Sequence, residues 1–581
     1  MGNLESSPLS IKFLNFLWRT KISLELGDRK KGKKLKETKC DDFDDILEII
    51  GSQGKFQKIL LYGVLAPLTA AEPLFILNII FMLFEPDHWC HVPGRDNLTD
   101  VETWKNLTIP MEVGPDGNSR YSQCLMYNSS GSSMQCQHGW EYDRTDYLET
   151  LPSFYNWVCD KSNFATDALT LAAAGNAIGC LFFGHAADKM GRRYVFFITL
   201  ILNVIVRIIS LFVAQSFNTF LALQFVIGTA FPVMYIAPCM IGAEISDKEY
   251  RAWIYSCTWM TWVFGMASLP LLAWLTRTWF FMGLVTSVPG ILIFLYWFWV
   301  PESPRWLISR GRIQEAAVVI RRIAKVNGTS DKLSDQKLDS MLKTLVIQQD
   351  QCDRNVGVWT LFSSWRLAKN TILVTIAWAM NNLIYYGITL NATNLSGNQF
   401  VNFFILAIIE VPSGYFGGVL ADKMGRRWTQ VVFFMLCLVT CILAAIGSVH
   451  SHLHMLVIIS IVIAKFAVTL TFLVVYMQAA EIFPTQLRTT GSGFASTVAC
   501  ATSIVAPYMI YLGKLNVSLP YMFLAVMSLA GMISSAFLPE TLDQNLPETI
   551  EEAVKFGEGE KFWSFCPHSH KKENKEAKFT P

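Results

Sequence analysis

The sequence predicts an all-α membrane protein of twelve transmembrane helices in two six-helix bundles, with a large extracellular loop between the first two helices. Three observations carry that expectation. The 581-residue chain is 52% hydrophobic and only 16% charged, whereas soluble domains carry about 25% charged residues. Its apolar runs match the roughly 20 residues that cross a bilayer. They also fall into two blocks, parted by a polar stretch from Pro301 to Asn370.

The first block covers 58–84, 166–186, 194–214, 219–241, 253–275 and 279–300; the second covers 371–390, 399–420, 428–448, 454–479, 490–512 and 520–538. Hydrocarbon offers no partner to a backbone N–H or C=O, so each run has to close its hydrogen bonds within itself as a helix. The chain thus divides into a cytoplasmic segment 1–57, an amino-terminal bundle 58–300 with its loop at 85–165, a cytoplasmic linker 301–370, a carboxy-terminal bundle 371–538 and a cytoplasmic tail 539–581. Within the linker, 313–326 reads as a helix.

Basic residues set the orientation. Twelve Lys or Arg lie between Pro301 and Asn370, and Lys189, Arg192 and Arg193 crowd the short second loop, against five basic residues from Glu85 to Ala165. Positive loops stay in the cytoplasm, which places both termini and the linker inside. The first loop holds Cys90, Cys124, Cys136 and Cys159, an even number that suits two disulfides on the oxidising side, with three connectivities open. Acceptor sequons at Asn97, Asn106 and Asn128 fall on the same side. Those at Asn391, Asn394 and Asn516 crowd predicted helix ends, and Asn327 falls inside, so it is expected to stay unmodified. The amino terminus lacks the charged region and cleavage site of a signal peptide, and MGNLESS matches the short myristoylation pattern.

A net charge of +2 without a basic face argues against a nucleic-acid partner. There is no P-loop, no GxSxG elbow and no zinc-spaced His/Cys cluster, and His452 and His454 read as solvated residues of an outer loop. The expected partners are therefore the bilayer and a small solute, with no enzyme activity, metal or cofactor. Without an ATP-binding motif, movement must draw on the solute's own gradient, the membrane potential, a coupled ion or a counter-substrate.

Two strings occur twice. GHAADKMGRR at 184–193 returns as GGVLADKMGRR at 417–427, carrying Asp188, Arg192 and Arg193, then Asp422, Arg426 and Arg427. GAEISDKEYR, with Glu244 and Arg251, returns as AAEIFPTQLR, with Glu481 and Arg488, where Pro484 bends the chain. Small residues let helices approach closely, and the carboxylates suit Arg groups or a helix N-terminus. Parallel copies in two halves mark a gate that links the halves in one conformation and releases them in the other.

Four ionisable residues fall inside apolar runs: Glu72, Arg207, Glu410 and Lys465. Each costs at least about 2.5–3.5 kcal/mol in hydrocarbon and asks for a reason. Glu72 precedes Pro73, which removes a helical hydrogen bond; its carboxylate suits a cationic group or Arg207. Asn381 and Asn382 adjoin Tyr385 and Tyr386 and need the partners that a wet cavity provides.

The repeats resemble the signature of the major facilitator superfamily. EPDHWCHVPG at 85–94, CQHGWEYD at 136–143, NWVCDK at 156–161, PESPRWLISRGR at 301–312 and LPETLDQNLPETIEEA at 538–553 resemble solute carrier family 22, the organic cation, carnitine and organic anion transporters. The likeness runs from about Asp42 to about Ala553. It implies a plasma-membrane carrier whose two bundles rock about a central cavity. Small organic cations or zwitterions are the expected cargo, with organic anions as the alternative and a non-transporting receptor or scaffold as a third reading. It also implies that Lys465, sixteen residues before Glu481, faces the cavity, as does Glu410 just before a proline. Trp259, Trp262, Trp378, Tyr385, Tyr386 and Tyr476 belong to helices that line such cavities, where ring faces hold ammonium groups; Arg207 lies on a helix set away from them. Twelve residues after Arg488 the family places its charge selector, and here that position is Cys500.

Overall fold

The computed structural model describes residues 43–93, 101–114, 119–128, 131–352, 357–484 and 487–558, apart from 543, 545, 546, 548 and 549. Of a first compact unit, residues 1–46, it describes only the opening turn of the helix Phe43–Ile50. The second unit, Leu47–Pro581, holds the helices that follow.

In the first half these are α1 (Lys55–Met82), α2 (Phe164–Met190), α3 (Arg192–Val213), α4 (Phe217–Glu244), α5 (Lys248–Thr276) and α6 (Trp279–Ile293). The second half has α7 (Trp365–Leu390), α8 (Gln399–Met424), α9 (Arg426–Ser448), α10 (His454–Ile482), α11 (488–515) and α12 (Leu519–Ala536). Among the described residues, eleven helices are long and apolar enough to span a bilayer unbroken. The exception is α11, expected as one run over 490–512. It gives way to a 3-10 turn at Ser503–Val505 and resumes at Tyr508, because Pro507 has no N–H for the carbonyl of Ser503. Proline acts likewise in α8, which splits into Gln399–Ile408 and Glu410–Met424 around Pro412. In α1 the helix breaks at Leu77, four residues after Pro73.

Packing relies on glycine in α2 and α4, though not on the one expected. A Cβ on Gly175 would lie 2.1 Å from the Phe225 carbonyl oxygen, one on Gly179 2.0 Å from that of Thr229, and one on Gly228 2.0 Å from that of Ala172. Backbone-to-backbone approach of this kind is how helices associate where no hydrophobic driving force separates protein from lipid. Gly184 of the repeated motif has nothing within 4 Å of its Cβ position, which corrects the expectation that it packs. On α1 and α5 the same device appears at Gly265, whose Cβ would sit 2.0 Å from the Ala70 carbonyl oxygen, beside a 2.6 Å contact between the Thr69 and Thr261 hydroxyls. In the second half α9 packs on α10 and α12, and α7 on α11 and α12. The halves meet along α2 with α11 and α5 with α8. Phe182, Leu275, Phe298 and Met455 stay exposed on the flanks, as a lipid-facing surface requires.

The loop between α1 and α2 carries three two-stranded antiparallel ribbons that periodicity had not disclosed. They pair β1 (His88–Cys90) with β6 (Trp140–Tyr142), β2 (Met111–Val113) with β3 (Ser119–Tyr121), and β4 (Leu125–Tyr127) with β5 (Ser133–Gln135). Of the three possible connectivities, the disulfides are Cys90–Cys136 and Cys124–Cys159. Arg277, at the turn between α5 and α6, donates to the carbonyls of Arg144, Thr145 and Asp146, docking the loop on the first half. On this loop face the halves are also tied together: Lys514 pairs with Glu85 at 2.5 Å, and Phe81 packs edge-on against Phe403. Asn106 is exposed on the loop, and Asn97 lies outside the described residues.

On the opposite, linker face, the expected helix runs over Ile313–Asn327. Its last residue is a junction. Asn327 Nδ2 donates to the carbonyls of Ile50 and Gly51, and its Oδ1 accepts from the Phe56 N–H. An amide so engaged has no room for a glycan.

Gly228→Val should abolish monodisperse, folded protein in fluorescence-detected size exclusion, whereas Gly184→Ala should elute as wild type. A well-folded Gly228→Val would mean that α2 and α4 do not depend on that approach.

Candidate transport site

Two equivalent charge clasps sit at the linker face. At the start of α3, the Glu302 carboxylate accepts from the backbone N–H groups of Arg192 (3.1 Å) and Arg193 (3.2 Å). At the start of α9, Glu540 accepts from those of Arg426 (2.8 Å) and Arg427 (3.2 Å). A helix N-terminus presents unpaired N–H groups and the positive end of its dipole, so a carboxylate there is stabilised. The preceding glycines make room: Gly191 and Gly425 have φ of 106° and 89°, and a Cβ on either would lie 2.3 Å from the glutamate oxygen. Burial pushes the Glu302 carboxyl up; the N–H groups of Ser303, Arg193 and Arg192, and the Arg192 charge, pull the other way.

The Arg side chains complete each clasp. Arg192 reaches Glu244 at 3.3 Å and Asp188 at 3.7 Å; Arg426 reaches Glu481 at 3.2 Å and Asp422 at 3.2 Å. Arg193 and Arg427 donate to the carbonyls of Trp297 and Ala536. The two sequence repeats are therefore one network, repeated. Arg251 serves backbone carbonyls, those of Ala243 (2.9 Å) and Ser246 (3.0 Å). Arg488 makes no ion pair among the described residues, so Glu481 answers Arg426 and Thr541 instead. These ion pairs each close within their own half. Glu302 and Glu540 were missed as partners of the Arg pairs, although Pro-Glu-Ser at 301–303 and Pro-Glu-Thr at 539–541 follow the sixth helix of each half.

Inside the second half, Lys465 of α10 and Glu410 of α8 form an ion pair at 2.9 Å, with both side chains fully buried. Lys465 Nζ also donates to Thr389 Oγ1 at 2.8 Å and lies 3.3 Å from the ring centre of Tyr385. An ammonium held by a carboxylate, a hydroxyl and a ring face is answered on every side. From Tyr385 a row of rings runs through Phe472 (5.7 Å) and Tyr476 (5.3 Å) to Trp378 (4.3 Å). Tyr386 stands edge-on to Tyr385, and Trp259 reaches Phe472 across from the first half. Trp262 packs against Tyr235 and also reaches Tyr385. Thr389 and Phe472 were not singled out from the sequence; a hydroxyl and a ring without charge carry no signal there.

Glu72 is buried with neither carboxylate oxygen partnered, and Arg207 does not pair with it. Arg207 instead donates to the Phe75 carbonyl and to Thr286 Oγ1 (3.4 Å). Asn382 bonds the Ala499 carbonyl at 2.8 Å, and Asn381 accepts from Thr471, so the two buried amides find their partners by cross-linking helices. Cys500 lies with its sulfur 3.4 Å from that of Cys180, across the two halves.

Twin bundles, with matched clasps at one face and a compensated charge pair buried in the second, define a secondary transporter of the major facilitator fold. Residues 128–553 match the family described as sugar (and other) transporter. The carcinine transporter of Drosophila melanogaster is 31% identical over 556 residues, covering 92% of this chain and 82% of that protein. Organic cation transporter 1 of Caenorhabditis elegans is 33% identical, covering 90% of each, and human organic cation/carnitine transporter 2 is 30% identical, covering 88% and 94%. Among solved structures, the inward-open xylose transporter XylE from E. coli superposes with a TM-score of 0.54 at 15% identity, covering 88% of this chain and 99% of that one. That likeness concerns the fold alone. The chain belongs to solute carrier family 22, within the sugar (and other) transporter family of the major facilitator superfamily.

Glu540→Gln should destabilise the protein by about 1–2 kcal/mol, since a charged cap on a helix N-terminus is lost, and Glu302→Gln should act alike. Thermal melting in detergent reads both, and an unchanged midpoint would refute the capping role. For the buried pair, Lys465→Met alone should cost about 3–5 kcal/mol by stranding a carboxylate, while Lys465→Met with Glu410→Leu should recover most of it. A double variant no more stable than the single one would mean that the pair is not coupled.

Proposed function

We propose that the chain carries a small organic cation or zwitterion across the plasma membrane by alternating access. The disulfide-bonded loop faces outside, with Asn106 exposed to accept a glycan, and the basic linker and both termini lie in the cytoplasm. The names of the relatives support this cargo: carcinine, organic cations and carnitine.

One observation carries the choice between cargo classes. Lys465, the cation an organic anion would need, is already neutralised by Glu410 at 2.9 Å, whereas the buried carboxylate of Glu72 has no partner among the described residues. Tyr476, the exposed ring of the aromatic row, adds a face worth about 0.5–2 kcal/mol to an ammonium. Cys500 contributes no charge of either sign at the position where relatives in the resemblance keep a selector.

The clasps supply the gate in this reading. Asp188, Arg192, Glu244, Asp422, Arg426 and Glu481 hold their pairs within each half while the loop face is bridged by Glu85–Lys514. On closing the linker face, they exchange partners across the halves. The driving force is the gradient of the solute, the membrane potential or a coupled ion.

Uptake of radiolabelled tetraethylammonium, L-carnitine and p-aminohippurate into expressing cells tests the cargo class. Uptake of the first or second, reduced at least tenfold by Glu72→Gln at equal surface amount, is expected. Accumulation of the anion alone would overturn the proposal.

A further inference from the structure

A cavity opens on the loop side of the first half, away from the Lys465–Glu410 pair. It lies among α1, α2, α3, α4 and α6 and is roofed by Tyr386 and Leu390 of α7 and by the break in α11 at Ser503–Pro507. It holds about 110 Å³ of free space, room for the end group of a small solute. Its wall is mostly aliphatic, with residues such as Ile76, Leu169 and Ile227.

Three polar atoms of that wall have no hydrogen-bond partner among the described residues: Arg207 Nε, Asn78 Oδ1 and Asn203 Oδ1. All three side chains are more than nine-tenths buried. The orientation of both amides follows from their neighbours. The Thr286 hydroxyl donates to the Met282 carbonyl at 2.8 Å, so its oxygen accepts from Asn78 Nδ2 at 2.7 Å. The Ile227 carbonyl accepts from Asn203 Nδ2 at 3.3 Å. The free ends are therefore two acceptors. Arg207 gives its two terminal nitrogens to Phe75 and Thr286, which leaves its Nε–H as a free, charge-assisted donor. No carboxylate lies within ion-pair distance of it among the described residues. The three atoms are also neighbours: Asn203 and Arg207 are four apart on α3, hence on one face, and Arg207 and Asn78 share Thr286.

A guanidinium without a counter-anion is the costliest group to bury in a membrane protein, and it marks a binding site by default. An uncharged or purely cationic solute would leave it unanswered. Glu72, one turn before Ile76 on α1, is the matching unanswered charge of opposite sign. A solute that carries both signs complements both.

We propose that this cavity binds the carboxylate end of a small zwitterion, with the carboxylate on Arg207 Nε and hydrogen-bond donors of the solute on Asn78 Oδ1 and Asn203 Oδ1. A short aliphatic spacer lies along the wall, and the cationic end is drawn towards Glu72. This rests on the cation-or-zwitterion reading above and narrows it to zwitterions.

L-carnitine and its methyl ester differ only in the anionic end, so comparing them isolates the carboxylate without altering the protein. In expressing cells, wild type should take up L-carnitine with a KM at least tenfold below that of the ester. Arg207→Gln should remove that preference, raising the KM for carnitine at least tenfold and that for the ester less than twofold, and Arg207→Lys should restore part of it. Because Arg207 also holds the Phe75 carbonyl, Asn203→Ala provides a second variant, expected to raise the carnitine KM threefold or more at normal surface amount. Equal KM values for ester and zwitterion in wild type would overturn the inference while leaving a cation carrier intact. Uptake of neither compound, with p-aminohippurate accumulated, would overturn the underlying cargo reading instead.

Discussion

Hydrocarbon withholds water from whatever is placed in it, and the architecture follows from how each polar group is answered in its absence. Backbone groups are answered by helices; where proline breaks one, a side chain or a turn steps in. The Phe75 carbonyl, at the break in α1, is held by Arg207, and α11 narrows to a 3-10 turn before Pro507. Charges are answered in three ways. Glu302 and Glu540 lie on helix N-termini, Lys465 and Glu410 lie on each other, and Glu72 and Arg207 have no protein counter-ion among the described residues. Only the last arrangement leaves free energy to be gained from a solute.

Much of this was legible in the sequence for a simple reason. A run of some 20 apolar residues has one physical use, and the repeated Asp-Lys-Met-Gly-Arg-Arg string sits where charge must stop a helix from sliding into lipid. The breaks were readable too, since Pro412 and Pro507 stand in the sequence, but periodicity counts apolar residues and overlooks a missing N–H. Disulfide pairing was not readable, because four cysteines on one loop carry no mark of partner. Lys465 and Glu410 were singled out one by one, by their charge and by the family resemblance. Their contact was hidden, because 54 intervening residues say nothing of which helix faces which. Glu302 and Glu540 were hidden differently. Their strings match only if the ends of the two bundles are compared, and a carboxylate outside the apolar runs raises no alarm on cost.

The duplication explains why the clasps are so alike. Each half must hold the start of its third helix against the end of its fourth, whatever the other half is doing. Arg192 with Glu244 and Arg426 with Glu481 do this at nearly the same length, 3.3 and 3.2 Å. The backbone half of each clasp never needs to change, because Glu302 and Glu540 bond N–H groups of their own bundle. The side-chain half is more exposed at Asp188 and Asp422 (63% and 68%) than at the arginines. Water already screens those carboxylates, so exchanging their partners costs little.

The same distinction separates what holds a bundle together from what holds the two bundles to each other. Inside a bundle, glycines bring backbones into contact and charges are clasped by N–H groups, interactions that are short, directional and expensive to break. Between bundles the contacts are of another kind: Trp259 against Phe472 at 6.1 Å, Phe81 against Phe403 at 5.0 Å, the thiols of Cys180 and Cys500, and a single partly exposed ion pair, Glu85–Lys514. Ring and sulfur contacts are short-ranged and nearly indifferent to small rotations, and a partly exposed ion pair is worth about 1 kcal/mol or less. A joint made this way yields before either bundle deforms. Rigid bundles on a soft joint are what rocking requires, and a solute biases it only by binding one arrangement more tightly than the other.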